Sequence, residues 1–288
     1  MEYLMTYGWA ILIIAVVLAA LFQLGIFSSF SLAPRAQPGA CQVYRPYGPG
    51  SISLIALTGL CNGELPQYVG AFNGQGYVNV GQHTLLRLRT FTVTAWVNLI
   101  SIHGPTSWQD AVSEYNGGSD WILRVNEGGP VLHTLVNLGG TWYGSGYSGC
   151  GSSGGALPIN KWIFVAMTFN GYTITAYGNG ALNGTTCTPP PGNTLGYSNL
   201  YLGSNGGAGS EIVNGSVANV QIYNTSLTAN EIQTLYIEGI GGAPTVLQNL
   251  VGWWPLNGNA NDYSGNNYNG TATSVFYTSQ WTSGYSVP

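Results

Sequence analysis

The sequence predicts an all-β fold, a sandwich or a barrel, that is preceded by a long hydrophobic α-helix. From residue 68 onward hydrophobic residues recur with a period of two, and TFTVTAWVNL places Phe91, Val93, Ala95 and Val97 on one face of a strand. Ten Asn-Gly dipeptides along the 288 residues are typical of turns between short strands. Before residue 28 the chain is instead almost continuously apolar, which is typical of a long helix.

The N-terminal segment, 1–34, is predicted to be this hydrophobic helix. Only Gln23 interrupts the apolar run from Trp9 to Phe27, which is long enough for about 28 Å of helix, and Pro34 ends the pattern. A cleaved secretion signal needs a basic stretch ahead of the apolar one, and no Lys or Arg occurs before Arg35. Three interpretations stay open: a cleaved signal, a plain membrane anchor and a permanent assembly element. The charge pattern favours a helix that is kept.

The next segment, 35–66, is rich in Pro and Gly and is predicted to be a connector with one short strand at 52–57. Four cysteines, an even number beyond an apolar segment, indicate two disulfides and an oxidising compartment. Three pairings are open, and the one between sequence neighbours, Cys41–Cys61 with Cys150–Cys187, is favoured. No C-x-x-C or paired-His spacing supports a metal site.

Residues 67–239 are predicted to form the β domain. The segment KWIFVAMTFNGYTITAYGNG predicts a hairpin with a two-residue type I′ turn at Asn170–Gly171. One further helix is predicted in SLTANEIQTLYIEG, where Thr228 and Glu231 have the spacing of a capping box.

This β region resembles the concanavalin A-like jelly rolls of the laminin-G-like group. The resemblance rests on FNGQGYV from Phe72, FTVTAWV from Phe91, KWIFVAMTFNG from Lys161, GSVANVQIYN from Gly215 and LTANEI from Leu227. It implies a jelly-roll sandwich and a family that often binds carbohydrate, sometimes with calcium. Asn73, Asn170 and Asn219 stand where the pattern usually has Asp, and an amide is a poorer calcium ligand than a carboxylate. We therefore expect no metal and no cofactor.

The C-terminal segment, 240–288, contains a motif that is out of its usual order. LVGWWPLNGNANDYSGNNYNGTAT, residues 250–273, resembles the opening strand and loop of such a domain but follows its closing helix. An exposed strand carrying Trp253 and Trp254 would be costly. We expect a permuted fold in which this segment completes the sandwich of its own chain; insertion into a neighbouring subunit is the alternative.

The N-terminal residues MEYLMTYGWA resemble the core helix of archaeal type IV pilin-like proteins. The resemblance implies that copies of the helix leave the membrane and pack into the core of a filament, a homopolymer. The glutamate of that family neutralises the amino terminus of a neighbouring subunit, a role that falls here on Glu2. Tyr3, Tyr7 and Trp9 are the other predicted assembly residues. Proteins of that family carry a short basic leader ahead of this helix, so we expect Met1 to lie inside a longer precursor.

Catalysis finds little support in the sequence, and the protein is predicted not to be an enzyme. GSSGG at 151–155 and GSGYSG at 144–149 match nucleophile-elbow and dinucleotide patterns, but they lie in a glycine-rich loop without the strand and helix that those motifs need. The carboxylates, such as Glu114 with Asp120 and the isolated Glu211, lack the spacing of a glycosidase pair. A net charge of −4 without a basic patch disfavours nucleic acid.

Two kinds of surface feature are predicted instead. Four acceptor sequons for N-glycosylation begin at Asn183, Asn214, Asn224 and Asn269. The loop GGTWYGSGYSGCGSSGG, which contains Cys150, is the candidate for a glycan-binding tip, with Trp142, Tyr143 and Tyr147 as stacking residues. Trp108 and Trp121 are further aromatic candidates, and core packing is the favoured role for Trp121.

Together these observations predict a subunit of an extracellular, cell-surface filament whose outward sandwich mediates adhesion or binds surface glycans. The alternative is a membrane-anchored, lectin-like surface protein that does not polymerise. A carbohydrate-active enzyme is the third hypothesis, and it requires two carboxylates that converge in a groove.

Overall fold

The structure is a computed structural model. It describes residues 2–23, 34–61, 63–101, 108–115, 120–147, 150, 154–184, 186–191, 198–206 and 211–288, with side chains in the first range described for residues 7–20. The chain divides into two compact units, Met1–Arg35 and Ala36–Pro288.

The described part of the first unit forms a helix, α1, at Glu2–Gln23. A helix is present where the sequence predicts one, while residues 24–33 of the predicted helical segment lie outside the described part. The side chains of Tyr7 and Trp9 are 67% and 68% exposed, and those of Glu2 and Tyr3 are outside the described set. Among the described residues, no helix combines the length and the apolar character needed to cross a membrane.

The second unit is built from short strands, as the alternating pattern predicts. The described strands are β1 (Arg35–Ala36), β2 (Cys41–Tyr44), β3 (Ala56–Gly59), β4 (Leu65–Pro66), β5 (Val69–Ala71), β6 (Tyr77–Gly81), β7 (Phe91–Leu99), β8 (Trp108–Glu114), β9 (Trp121–Glu127), β10 (His133–Leu138), β11 (Thr141–Gly144), β12 (Trp162–Phe169), β13 (Ile174–Gly178), β14 (Ala181–Leu182), β15 (Leu200–Leu202), β16 (Gly215–Tyr223), β17 (Leu250–Trp254), β18 (Thr271–Thr273) and β19 (Phe276–Thr278). A second helix, α2, spans Ala229–Ile237.

Two large sheets form a jelly-roll sandwich. The seven-stranded sheet has the order β11-β10-β9-β8-β15-β6-β18, and the eight-stranded sheet has the order β14-β13-β12-β7-β16-β5-β19, with β17 also paired to β16. Two short ladders, β1 with β4 and β2 with β3, lie outside the large sheets. The two inner faces share one hydrophobic core, which includes Phe91, Val93, Ala95 and Val97, the four residues that alternation places on one face of β7.

The C-terminal segment contributes strands to both sheets of its own chain. β17 pairs with β16, β18 with β6 and β19 with β5, each antiparallel. Trp254 is fully buried in the shared core, and its indole N–H donates to the carbonyl of Tyr268 at 2.9 Å. The segment therefore forms a structural part of the sandwich.

Three local predictions can be compared with the structure. The capping box of α2 is confirmed, because Thr228 and Glu231 cap each other's backbone N–H groups. The prediction of a two-residue turn at Asn170–Gly171 is wrong, because residues 170–173 form a four-residue loop between β12 and β13. In this loop Asn170 Oδ1 accepts from the N–H groups of Tyr172 and Thr173. The strand predicted at 52–57 lies instead at Ala56–Gly59.

Candidate functional site

A cleft of about 150 Å³ lies on the outer face of the seven-stranded sheet. Its walls combine aromatic rings, two aliphatic side chains and a few polar groups. The lining residues are Trp108, Tyr115, Ile122, Arg124, Leu135, Trp142, Tyr147, Asn205 and Glu211. Small-molecule sites commonly have this composition, with apolar walls and a few polar groups that fix orientation.

The alternation of the central strands produces the cleft. On β9, Trp121, Leu123 and Val125 point into the core, so that Ile122 and Arg124 point outward. Trp121 is 2% exposed, which fits the favoured role in core packing.

Arg124 lies at the centre of an ion-pair network. Its Nε donates to Asp110 Oδ1 at 2.7 Å, its Nη1 to Glu127 Oε2 at 2.9 Å, and its Nη2 to Glu211 Oε2 at 2.7 Å. Asp110 lies directly opposite Arg124 in the ladder between β8 and β9, so this pair is built into the sheet. Burial alone would lower the pKa of Arg124, but Asp110 and Glu211 raise it above its ordinary value.

Two aromatic side chains enclose this network. The Arg124 Cζ atom lies 4.5 Å from the centroid of the Trp108 ring, in cation–π geometry. The Tyr147 hydroxyl donates to Glu127 Oε1 at 2.5 Å. Burial and the neighbouring Glu127 raise the pKa of Tyr147, so that its hydroxyl stays protonated and acts as a donor.

The remaining rings form one wall of the cleft. Tyr115 and Trp142 are half-buried, and their ring centroids lie 6.0 Å apart with planes tilted by 33°. Trp108 is 42% exposed. Half-buried rings beside hydrogen-bonding groups suit a ligand with an apolar face and polar edges.

The predicted glycan-contact residues separate into two groups. Trp142 and Tyr147 line the cleft, whereas Tyr143 packs against the hydrophobic core. Trp142 and Tyr143 are adjacent on β11, and adjacent strand residues point to opposite faces. This placement removes Tyr143 from the predicted contacts.

A disulfide holds the loop that follows β11. Cys150 is bonded to Cys187, and the backbone N–H of Cys150 donates to the carbonyl of Tyr147 at 3.0 Å. Residues 148–149 and 151–153 of this loop lie outside the described residues. The second disulfide joins Cys41 to Cys61, next to the ladder of β2 and β3.

The four sequon asparagines differ in exposure. Asn224 and Asn269 are exposed, whereas Asn183 and Asn214 are half-buried. The Asn183 Oδ1 atom accepts from the backbone N–H of Gly155 at 2.5 Å, which fixes its amide against the protein.

The polar half of the cleft was missed by the sequence prediction, which treated Glu211 as isolated and named no role for Asp110 or Glu127. The fold brings these three carboxylates together around Arg124. One conformational signal is visible only in the structure: Glu211 has φ 49°, a left-handed value that is rare for a non-glycine residue and common at functional sites.

Apart from the three carboxylates around Arg124, two further carboxyl groups, those of Glu114 and Asp120, are buried. Glu114 Oε2 accepts from the indole N–H of Trp121 at 2.8 Å, and Asp120 Oδ1 accepts from the hydroxyl of Ser198 at 2.7 Å. Burial raises the pKa of Glu114 to about 8. Within the described ranges, no three or more His, Cys, Asp and Glu side chains are grouped to hold a metal ion.

Residues 72–233, more than half of the chain, match a family model for laminin-G-like domains, described as the concanavalin A-like lectin/glucanases superfamily. Among proteins with curated descriptions, none matches the sequence significantly.

Several solved structures are similar to part of this chain. A Bacteroides ovatus protein, described with a proposed carbohydrate-binding role, is 18% identical with a TM-score of 0.55; the match covers 75% of this chain and 61% of that one. Domain 4 of a Geobacillus stearothermophilus extracellular arabinanase, in complex with arabinotriose, is 17% identical with a TM-score of 0.45, covering 57% and 74%. A Ruminococcus gnavus sialidase module bound to α2,3 sialyllactose is 16% identical with a TM-score of 0.44, covering 59% and 96%.

Proposed function

This chain belongs to the concanavalin A-like lectin/glucanases superfamily, and we propose that its sandwich is a lectin-like module that binds carbohydrate in the cleft around Arg124. The supporting observation is the combination of half-buried rings, Tyr115, Trp142 and Tyr147, with hydrogen-bonding groups on one sheet face. A sugar ring presents C–H groups on its faces and hydroxyls at its edges, which matches this arrangement.

The proposed activity is binding without hydrolysis. A glycosidase needs one accessible carboxyl group that is protonated and ready to donate. Burial raises the pKa of Asp110, but the same burial keeps this carboxyl out of reach of a substrate. Glu127 and Glu211 are both bound to Arg124, so a proton transfer through either would first disrupt an ion pair.

A glycan array probed with the full-length protein tests the binding proposal. We expect Trp142→Ala to weaken binding to the recognised glycan by at least about tenfold, or ~1.4 kcal/mol, because the stacking wall loses a ring. Tyr172→Ala is the matched control, since Tyr172 is 68% exposed in the loop between β12 and β13, away from the cleft residues. Equal binding by wild type and Trp142→Ala would contradict the site assignment.

We also propose that α1 makes the protein a subunit of a pilus-like extracellular filament, so that many weak sugar contacts add through avidity. The exposed apolar side chains of α1, among them Tyr7, Trp9 and Ile14, support this proposal because such a surface is stabilised by packing against other helices. Two disulfides support an oxidising, extracellular location.

Negative-stain microscopy of full-length material tests the filament proposal. We expect fibres from the wild type and none from Ile14→Glu, because a carboxylate among packed apolar helices lacks a partner. Ile52→Glu is the control, since Ile52 is exposed in the second unit. Lone particles from the wild type under every assembly condition would favour the membrane-anchored alternative.

A further inference from the structure

The ion-pair network at the cleft, of which Arg124 and Glu211 line the cleft itself, carries more negative than positive groups. One guanidinium, Arg124, faces the carboxylates of Asp110, Glu127 and Glu211. Even if the fully buried Asp110 is counted as neutral, two carboxylates remain against one cation. The side chains of Glu127 and Glu211 are 22% and 15% exposed, whereas that of Arg124 is 3% exposed. Of the two charged groups that line the cleft, the carboxylate of Glu211 is therefore more accessible to a ligand than the guanidinium of Arg124.

The guanidinium of Arg124 has no N–H left for an acidic ligand. It carries five N–H donors, and five contacts use them: Nε to Asp110, Nη1 to Glu127 and to the Tyr147 hydroxyl, and Nη2 to Asp110 and to Glu211. The ring of Trp108 lies over the guanidinium carbon. A carboxylate from a ligand would have to displace one of the protein's own carboxylates or the Tyr147 hydroxyl, which lies 3.5 Å from Nη1.

No other cation compensates for this charge within the described lining of the cleft, which contains no second Lys or Arg. The nearby His133 is 6% exposed, and its Nδ1 lies 2.8 Å from the carbonyl oxygen of Ser145. An anionic sugar would thus lose hydration without gaining a counter-ion.

We infer that the cleft is selective for carbohydrates without acidic groups, such as neutral hexoses, and rejects uronic and sialic acids. This inference rests on the proposed carbohydrate-binding function and specifies the chemical class of its ligand. The carboxylate of Glu211 in the cleft lining accepts from sugar hydroxyls but repels a sugar carboxylate, and Glu127 in the same network adds to the repulsion.

Matched sugar conjugates test the inference on the full-length protein. Glucose, galactose and mannose, and the three uronic acids that differ from them only by a carboxylate at C6, are coupled to one carrier at equal density. We expect the best-bound neutral sugar to bind at least tenfold more tightly than its uronic acid in 20 mM salt. We expect this ratio to shrink in 0.5 M salt, because added ions screen the repulsion.

Two variants connect this ratio to the cleft. Glu211→Gln removes one negative charge and is expected to narrow the ratio at least threefold. Glu238→Gln makes the same change in net charge at an exposed position outside the cleft lining and is expected to leave the ratio unchanged. If Glu211→Gln does not fold, the salt dependence of the wild-type affinity ratio still tests whether the cleft repels a sugar carboxylate.

The outcomes are distinguishable. Equal or tighter binding of the uronic acid would overturn the inference and leave the carbohydrate-binding proposal standing. Binding to no glycan on the whole array would overturn both.

Discussion

The folded wild-type protein is expected to lose stability as the pH rises from 4.5 to about 8, and replacing Glu114 by glutamine is expected to remove this loss. The Glu114 side chain is 3% exposed, and burial raises its pKa from 4.5 to about 8 in the folded protein. Below pH 4.5 the folded and unfolded chains both hold the proton. Between pH 4.5 and 8 only the folded chain holds it, so the free energy of unfolding falls as the pH rises.

The size of this effect follows from the rise in pKa. Each pKa unit corresponds to about 1.4 kcal/mol. A rise of the Glu114 pKa from 4.5 to about 8 therefore lowers the free energy of unfolding by ~5 kcal/mol once the pH exceeds 8. Glutamine has the shape of the protonated acid, and its amide oxygen can accept from the Trp121 indole as the carboxyl does. The amide NH2 cannot accept from the Ser198 backbone N–H, as Glu114 Oε1 does at 3.4 Å, so the variant also carries a cost that is the same at every pH. Relative to the wild type, the free energy of unfolding of Glu114→Gln should therefore rise from pH 4.5 toward pH 8.

Equilibrium urea unfolding of the full-length protein between pH 4.5 and 9, followed by tryptophan fluorescence, measures this difference. Glu238→Gln removes an exposed carboxylate and is the control for net charge. A constant difference between wild type and Glu114→Gln across this range would refute the reasoning, because it would mean that Glu114 ionises in the folded protein as it does in the unfolded chain.

Three further predictions concern the loop, the sugars and the core. Replacing Cys150 and Cys187 by serine should weaken glycan binding at least threefold on the array, because the loop that carries Tyr147 loses its tether. Glycopeptide mass spectrometry of native material should find sugar on the exposed Asn224 and Asn269. Gly203→Ala should lower the free energy of unfolding by about 2–4 kcal/mol, measured in urea, because the residue has φ 76° and a Cβ there would overlap the buried Phe72 ring.

Each of these predictions has a matched control. Replacing Cys41 and Cys61 by serine should cost stability without changing sugar affinity, and an equal loss of affinity in both double variants would contradict the role of the loop tether. Sugar on the half-buried Asn183 but not on Asn224 would contradict the exposure argument. Gly129→Ala should change stability by less than about 0.5 kcal/mol, since nothing lies within 4 Å of the added Cβ; a loss as large as that of Gly203→Ala would contradict the steric reason.

The fold class was predictable because its signals are local and repeated. Alternation on β7 identifies the core face directly, and Phe91 and Val93 lie in the shared core as expected. The cap of α2 depends on two residues three positions apart, Thr228 and Glu231, so it too is visible in the sequence. The turn after β12 was predicted incorrectly because Asn170 uses its side chain to cap two backbone N–H groups, which lengthens the loop.

The aromatic half of the cleft was partly predictable, because exposed rings in a glycine-rich loop stand out in the sequence. The polar half was not, since Arg124 meets Glu211 across 87 residues of chain. Only the order of the strands, β9-β8-β15, brings the two segments together. With 10 acidic residues in the chain, no spacing rule marks the three that share one arginine.

The register of β8 explains why the sequence pattern did not indicate which residues of this strand line the cleft. Trp108 and Tyr115 are seven residues apart, so an unbroken alternation would place them on opposite faces of the sheet. In the structure both line the cleft, because the pairing with β9 shifts between Asp110 and Val112, and Ala111 and Val112 both point into the core. This irregularity keeps Asp110 opposite Arg124 and also turns the end of the strand toward the cleft. The site therefore depends on a break in the periodicity from which the fold itself was predicted.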